Sequence, residues 1–175
     1  MSASSSQASR EASLLRGIER LFTPLFVLAL ASTLVPLWTV VWLPMGDYGG
    51  HIELLDVMAR YRDPNTLYAS VYTLPQGLQP NTLSLSVAWL LAPWCDAALS
   101  ARLLLSAYAL GLPLASLLLA QAYGRSRWLA FLACPLVFNA IMNLGVFNYL
   151  LALPLMLASI ALARRWGERA ALHDG

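Results

Sequence analysis

From residue 21 to residue 43 the chain runs through 23 positions without one charged side chain. At about 1.5 Å per residue a helix of that length reaches about 35 Å, enough to cross a hydrocarbon core about 30 Å thick. Three more apolar blocks follow, at residues 103–123, 128–141 and 147–163. A further apolar stretch, residues 81–94 ("NTLSLSVAWLLAPW"), covers only about 21 Å as a helix. Lengthening it forward brings in Asp96, and lengthening it backward brings in Pro80 and Gln79, so it is expected to stay outside the membrane.

The arginines decide the topology. With residues 81–94 outside the bilayer, Arg10, Arg16, Arg20, Arg125, Arg127, Arg164, Arg165 and Arg169 fall on one side, and Arg60, Arg62 and Arg102 on the other. Basic residues concentrate on the cytoplasmic side, so both termini are expected there, in the inner (plasma) membrane. The fold class that follows is an all-α polytopic transmembrane helical bundle of four spans, with interfacial helices in its first loop. Its parts are a disordered basic cytoplasmic tail at 1–20, a first span at 21–43 and an extracytoplasmic loop at 44–101. Three further spans occupy 102–163, and a cytoplasmic tail occupies 164–175. The "ALAS" at 29–32 has the look of a signal-peptidase site, but apolar residues continue through Trp42, as in a retained anchor.

Composition agrees: 59% of the residues are hydrophobic, 11% are charged and mean hydropathy is positive, which places the chain among membrane proteins. The net charge of +2 offers no basic face for nucleic acid. The two cysteines, Cys95 and Cys134, make neither a disulfide framework nor a metal spacing, and are read as packing residues. No phosphate-binding glycine loop, serine triad or zinc-ligand spacing occurs.

Six charged residues lie close together in "LPMGDYGGHIELLDVMARYRDPNTLY" at 43–68. A helix over 49–62 puts Glu53, Asp56, Arg60 and Asp63 on one stripe and Leu54, Leu55, Val57, Met58 and Tyr61 across from it, which is an interfacial amphipathic pattern. Asp56 and Arg60 are spaced as a surface ion pair. His51 falls instead with the apolar face, and Asp47 precedes the helix in "GDYGG", where glycines permit a sharp turn. A carboxylate and an imidazole there suit proton abstraction, phosphate binding or ligation of a divalent cation. The plainer reading makes Asp47 a helix cap and tucks His51 against headgroups. If Asp47 works as a catalyst it faces a cavity with His51 beside it; if it does not, it meets bulk water or caps the helix.

Arg102 opens the second span and is placed either to pair with a lipid phosphate or to snorkel, with Asp96 as the helix cap. Trp38, Trp42, Trp89, Trp94 and Tyr68 read as an interfacial aromatic belt, in which Trp89 is also placed to contact an isoprenoid chain. Asn139, Asn143, Gly145 and Asn148 cluster where a turn between spans three and four is expected. Pro113, Pro135 and Pro154 fall inside spans, where they permit kinks.

A span, an acid just beyond it in the first extracytoplasmic loop, surface helices, then a short apolar stretch leading to an arginine and a long span resemble the start of the C-type (GT-C) membrane glycosyltransferases, over residues 21–165. "PMGDYGGHIELLDVMARY" and "LGVFNYLLALPLML" are also similar to stretches in uncharacterised bacterial membrane proteins of that layout. The resemblance implies a polyprenyl-phosphate-linked sugar donor used at the extracytoplasmic face. It implies Asp47 with His51 as catalytic pair, and Arg102 and Trp89 as contacts to the carrier. Members often show two adjacent loop acids, whereas Tyr48 follows Asp47 here. They also usually carry more spans, so the expected partners include a missing C-terminal region or a further membrane subunit. The alternative is a non-catalytic membrane subunit or remnant with a structural or binding role.

Overall fold

The computed structural model describes residues 2–74 and 82–173, with side chains described for 17–74 and 82–170. Residues 75–81, which include Gln79 and Pro80, lie outside the described residues, as do 174–175. Helices are the only regular secondary structure among the described residues, and four segments are long and apolar enough to cross a membrane: Gly17–Thr39, Ala97–Ala122, Arg127–Leu144 and Phe147–Ala170. The chain is an all-α bundle of a membrane protein.

The first helix, α1 (Ser2–Thr39), begins well before the apolar run. The helix starts at Ser2, within the stretch read as a basic tail, and nine of the thirteen residues at 8–20 are Ala, Leu, Glu or Arg, all strong helix formers. Two short helices, α2 (Tyr48–Arg60) and α3 (Tyr68–Val71), precede α4 (Leu83–Leu91). At nine residues α4 is about 14 Å long, so the apolar stretch at 81–94 does not span.

The second span, α5 (Ala97–Ala122), is the centre of the bundle. Asp96 caps it, accepting from the Leu99 amide at 2.7 Å. Its buried face includes Ala101, Leu105, Tyr108, Ala109 and Leu112. The fourth span, α8 (Phe147–His173), runs parallel to it: Gly111 lies against Pro154, where an added Cβ would stand 3.2 Å from the Pro154 Cβ, and Arg165 reaches Gln121 at 3.1 Å. Helix α1 runs antiparallel to α5. Arg102, at the start of α5, donates to the carbonyls of Leu37, Val40 and Val41 at 3.3, 2.8 and 2.7 Å, and Trp38 donates to Ser106 at 3.1 Å. At the opposite end Glu19 pairs with Arg127, whose guanidinium lies 4.3 Å from the Phe22 ring. Phe22, Phe26, Trp128 and Phe131 pack there edge to face and stacked.

The third span differs most from the uniform helix expected at 128–141. It consists of a 3-10 segment (Arg127–Leu132), α6 (Ala133–Leu136), a break, and α7 (Ala140–Leu144). Pro135 has no amide to give the ladder, and Asn139, with extended φ −102° and ψ 175°, starts a new helix by accepting from the Met142 amide at 3.0 Å. A break within a membrane requires partners for its freed carbonyls. Tyr108, fully buried on α5, donates to the Val137 carbonyl at 3.1 Å, while the Asn139 amide donates to the Tyr108 hydroxyl at 2.9 Å and to the Leu136 carbonyl at 3.0 Å.

Removing that hydroxyl strands a buried carbonyl. Tyr108→Phe should lower stability by about 1–3 kcal/mol, measured by unfolding in mixed micelles, whereas Tyr149→Phe, on an exposed side chain, should change it little.

Candidate functional site

The broken third span ends in a left-handed residue. Gly145 has φ +85°, and its amide donates to the carbonyls of Ile141 and Met142 at 3.1 and 3.0 Å, closing α7. The carbonyls of the next residues are then left for the loop after span one. Gly46 donates to Asn143 at 2.8 Å and Asp47 donates to Leu144 at 3.0 Å, while the His51 ring lies near the Gly145 backbone. Two segments almost a hundred residues apart are clasped backbone to backbone.

Glycine is required on one side of the clasp, at Gly145. A Cβ on Gly145 would stand 3.2 Å from the Asp47 nitrogen and 3.3 Å from that of Tyr48, in a backbone conformation that side chains rarely adopt. A Cβ on Gly46 would meet the Leu144 carbonyl oxygen at 3.4 Å. Tyr48 and Phe147, both fully buried, fill the space beneath, and Trp42 packs edge-on against Tyr48 at 5.2 Å.

His51 is half-buried, stacked on Phe147 with centroids 4.5 Å apart and planes 14° from parallel. This desolvation pushes its pKa below the ordinary 6.5, opposed by the Asp47 charge and by the nearby Gly145 backbone. The shift favours the uncharged ring, which carries one donor and one acceptor nitrogen. The Asp47 side chain is exposed and makes no capping hydrogen bond to α2, although it occupies the N-cap position. Both residues line an open depression of about 350 Å³ together with Gly50, Glu53, Leu54 and Tyr72.

Glu53, from the acidic stripe of α2, is part of the lining of this depression. Glu53 accepts from the Tyr72 hydroxyl at 2.5 Å, which raises the Tyr72 pKa. Asp56 is ion-paired to Arg60 and accepts from the Tyr68 hydroxyl at 2.6 Å, and the Arg60 hydrogen bonds hold its carboxyl below the usual range. The Tyr61 hydroxyl donates to the Tyr72 carbonyl at 3.0 Å. The stripe expected to be simply solvated thus holds the following segment, 68–72, against α2. Glu53 and Tyr72 belong to the site, and nothing in their spacing distinguished them; Gly145 and Phe147 were visible only as turn and span residues.

Arg102 and Trp89 are placed elsewhere. The Arg102 guanidinium is spent on the three carbonyls that end α1, where a cation also suits the helix dipole. Trp89 is exposed beside Ala59 and Trp94, at the other end of α2, about 18 Å along that helix from Asp47. Among the described residues no three His, Cys, Asp or Glu side chains come together as a group that could hold a metal ion. Comparison with protein families, with curated proteins and with solved structures returned no match.

The clasp fixes His51, and its titration reports on it. In the intact protein the imidazole should titrate below 6.5, because folding favours the neutral ring. The stability this contributes is fully present above the unfolded value and is lost as pH falls through it toward the folded one. Gly145→Ala should open the clasp, resolvate the ring and return its titration toward 6.5, read by NMR of labelled histidine in micelles.

Proposed function

We propose that the chain is part of a glycosyltransferase-like membrane protein that uses a polyprenyl-phosphate-linked sugar at the extracytoplasmic face, with Asp47 as the proton acceptor. The observation that carries this reading is the state of Asp47: an exposed carboxylate that caps nothing, held in position through its backbone, beside a neutral imidazole at the rim of a depression. In such a transfer the acceptor hydroxyl gives its proton to Asp47 as its oxygen bonds to the sugar carbon. The bond from that carbon to the carrier phosphate breaks, and the phosphate leaves with the electron pair. His51, uncharged and accepting, orients the incoming hydroxyl. The eight-to-three distribution of arginines supports an inner-membrane location with both termini cytoplasmic and the Asp47 end outside.

A non-catalytic reading, as a membrane subunit with a structural or binding role, is favoured by the exposure of Asp47 to solvent and by the placement of the two carrier-contact candidates. Arg102 is engaged by the end of α1 and Trp89 is remote from Asp47, so neither stands ready to hold a carrier at this depression.

Transfer from a lipid-linked sugar in proteoliposomes separates the two. Asp47→Asn should lower the rate by about 10²- to 10⁴-fold with insertion unchanged, while Asp56→Asn should leave most of it. Full activity in Asp47→Asn removes the residue from the chemistry, and absence of transfer by the unaltered protein favours the non-catalytic reading.

A further inference from the structure

At the arginine-rich end α5 stops in a tight reversal. Gly124 is left-handed (φ +60°); its amide donates to Gln121 at 3.1 Å, and the Arg125 amide donates to Ala120 at 2.8 Å. This paired closure of a helix end fixes Arg125 beside the last turn of α5 instead of releasing it into a loop. Arg125 there forms part of the lining of a pocket of about 470 Å³ between α5, the 3-10 segment and α8.

The rest of the pocket is apolar. Leu119 and Ala120 on α5, Leu129 and Ile160 opposite, and the Tyr123 ring supply most of the wall. The one hydroxyl on it besides Tyr123, that of Ser116, donates to its own helix at Leu112 (2.8 Å). Charge collects at one edge. The Arg164 guanidinium stands 5.7 Å from the centroid of the Tyr123 ring and pairs with Glu168 at 2.8 Å. Arg125, in the lining, keeps its charge without an ion-pair partner among the described residues, while Arg164 beside Tyr123 is paired with Glu168. The apolar wall of the slot lies along the membrane-spanning parts of α5 and α8.

We propose that this pocket binds one anionic phospholipid, with an acyl chain in the slot and the headgroup phosphate on Arg125. The shape and charge fit an amphiphile: apolar walls at the depth of hydrocarbon, and unbalanced positive charge at the depth of the headgroups. A guanidinium presents paired donors to a phosphate oxygen pair, and a zwitterionic headgroup would bring a cation against Arg164. Free phosphate has no use for the slot.

Native mass spectrometry of the full chain, released from micelles containing equal amounts of phosphatidylglycerol and phosphatidylcholine with the same acyl chains, tests this. The first retained lipid should be phosphatidylglycerol by about fivefold. Arg125→Gln should bring the two lipids to parity, and Arg125→Lys should keep a preference. Arg165→Gln should behave as the unaltered protein, because Arg165 is directed to Gln121. Leu129→Trp, which fills the slot and leaves every arginine, should remove the bound lipid. Equal retention of the two lipids by the unaltered protein would overturn the proposal. So would unchanged preference in Arg125→Gln, or undiminished retention in Leu129→Trp.

Discussion

Two consecutive carbonyls, those of Asn143 and Leu144, have no partner within α7, and the amides of Gly46 and Asp47 in the loop after the first span donate to them. Each such bond is worth about 0.5–1.5 kcal/mol net. The position of Asp47, the orientation of His51 and the start of α2 all follow from this clasp. It exists only because Gly145 leaves room for the Asp47 and Tyr48 backbone, and because its left-handed conformation turns the chain at that point.

The clasp uses the end of the third span, since the last carbonyls of any helix have no partner in its own ladder. The same span is interrupted before that end. Pro135 and Asn139 break the ladder, and Tyr108 makes the break tolerable by supplying a hydroxyl from the middle of α5. Helix α5 thus has two tasks: it packs against α8 through small residues such as Gly111, and it satisfies the neighbour that does not form a regular helix. The same economy places Arg102, whose donors close the end of α1.

Much of the architecture was legible in the sequence because the membrane imposes simple rules. Uncharged apolar runs marked the four spans, the count of arginines separated them from the equally apolar 81–94, where α4 has nine residues, and Asp96 capped α5 as its position suggested. The placement of His51 with the apolar face of α2 was also readable from helical periodicity, and the ring is half-buried there. What was not readable depends on contacts between distant segments. Gly145 looked like an ordinary turn glycine, and its role appears only when the Asp47 backbone is beside it. Glu53 and Asp56 looked like solvated charges, yet tyrosines at 72 and 68 bind them across a turn that periodicity does not describe. Arg102 had the same spacing whether it met a phosphate or the end of a helix.

If the clasp organises this end of the bundle, the amides of Gly46 and Asp47 are its most direct reporters, since each lies in a loop and each donates to a carbonyl of another segment. Residue-resolved hydrogen exchange in micelles should find both exchanging as slowly as the interior of α2, and should find that protection lost in Gly145→Ala. Exchange of Gly46 and Asp47 in the unaltered protein at the rate of an open loop would contradict the account.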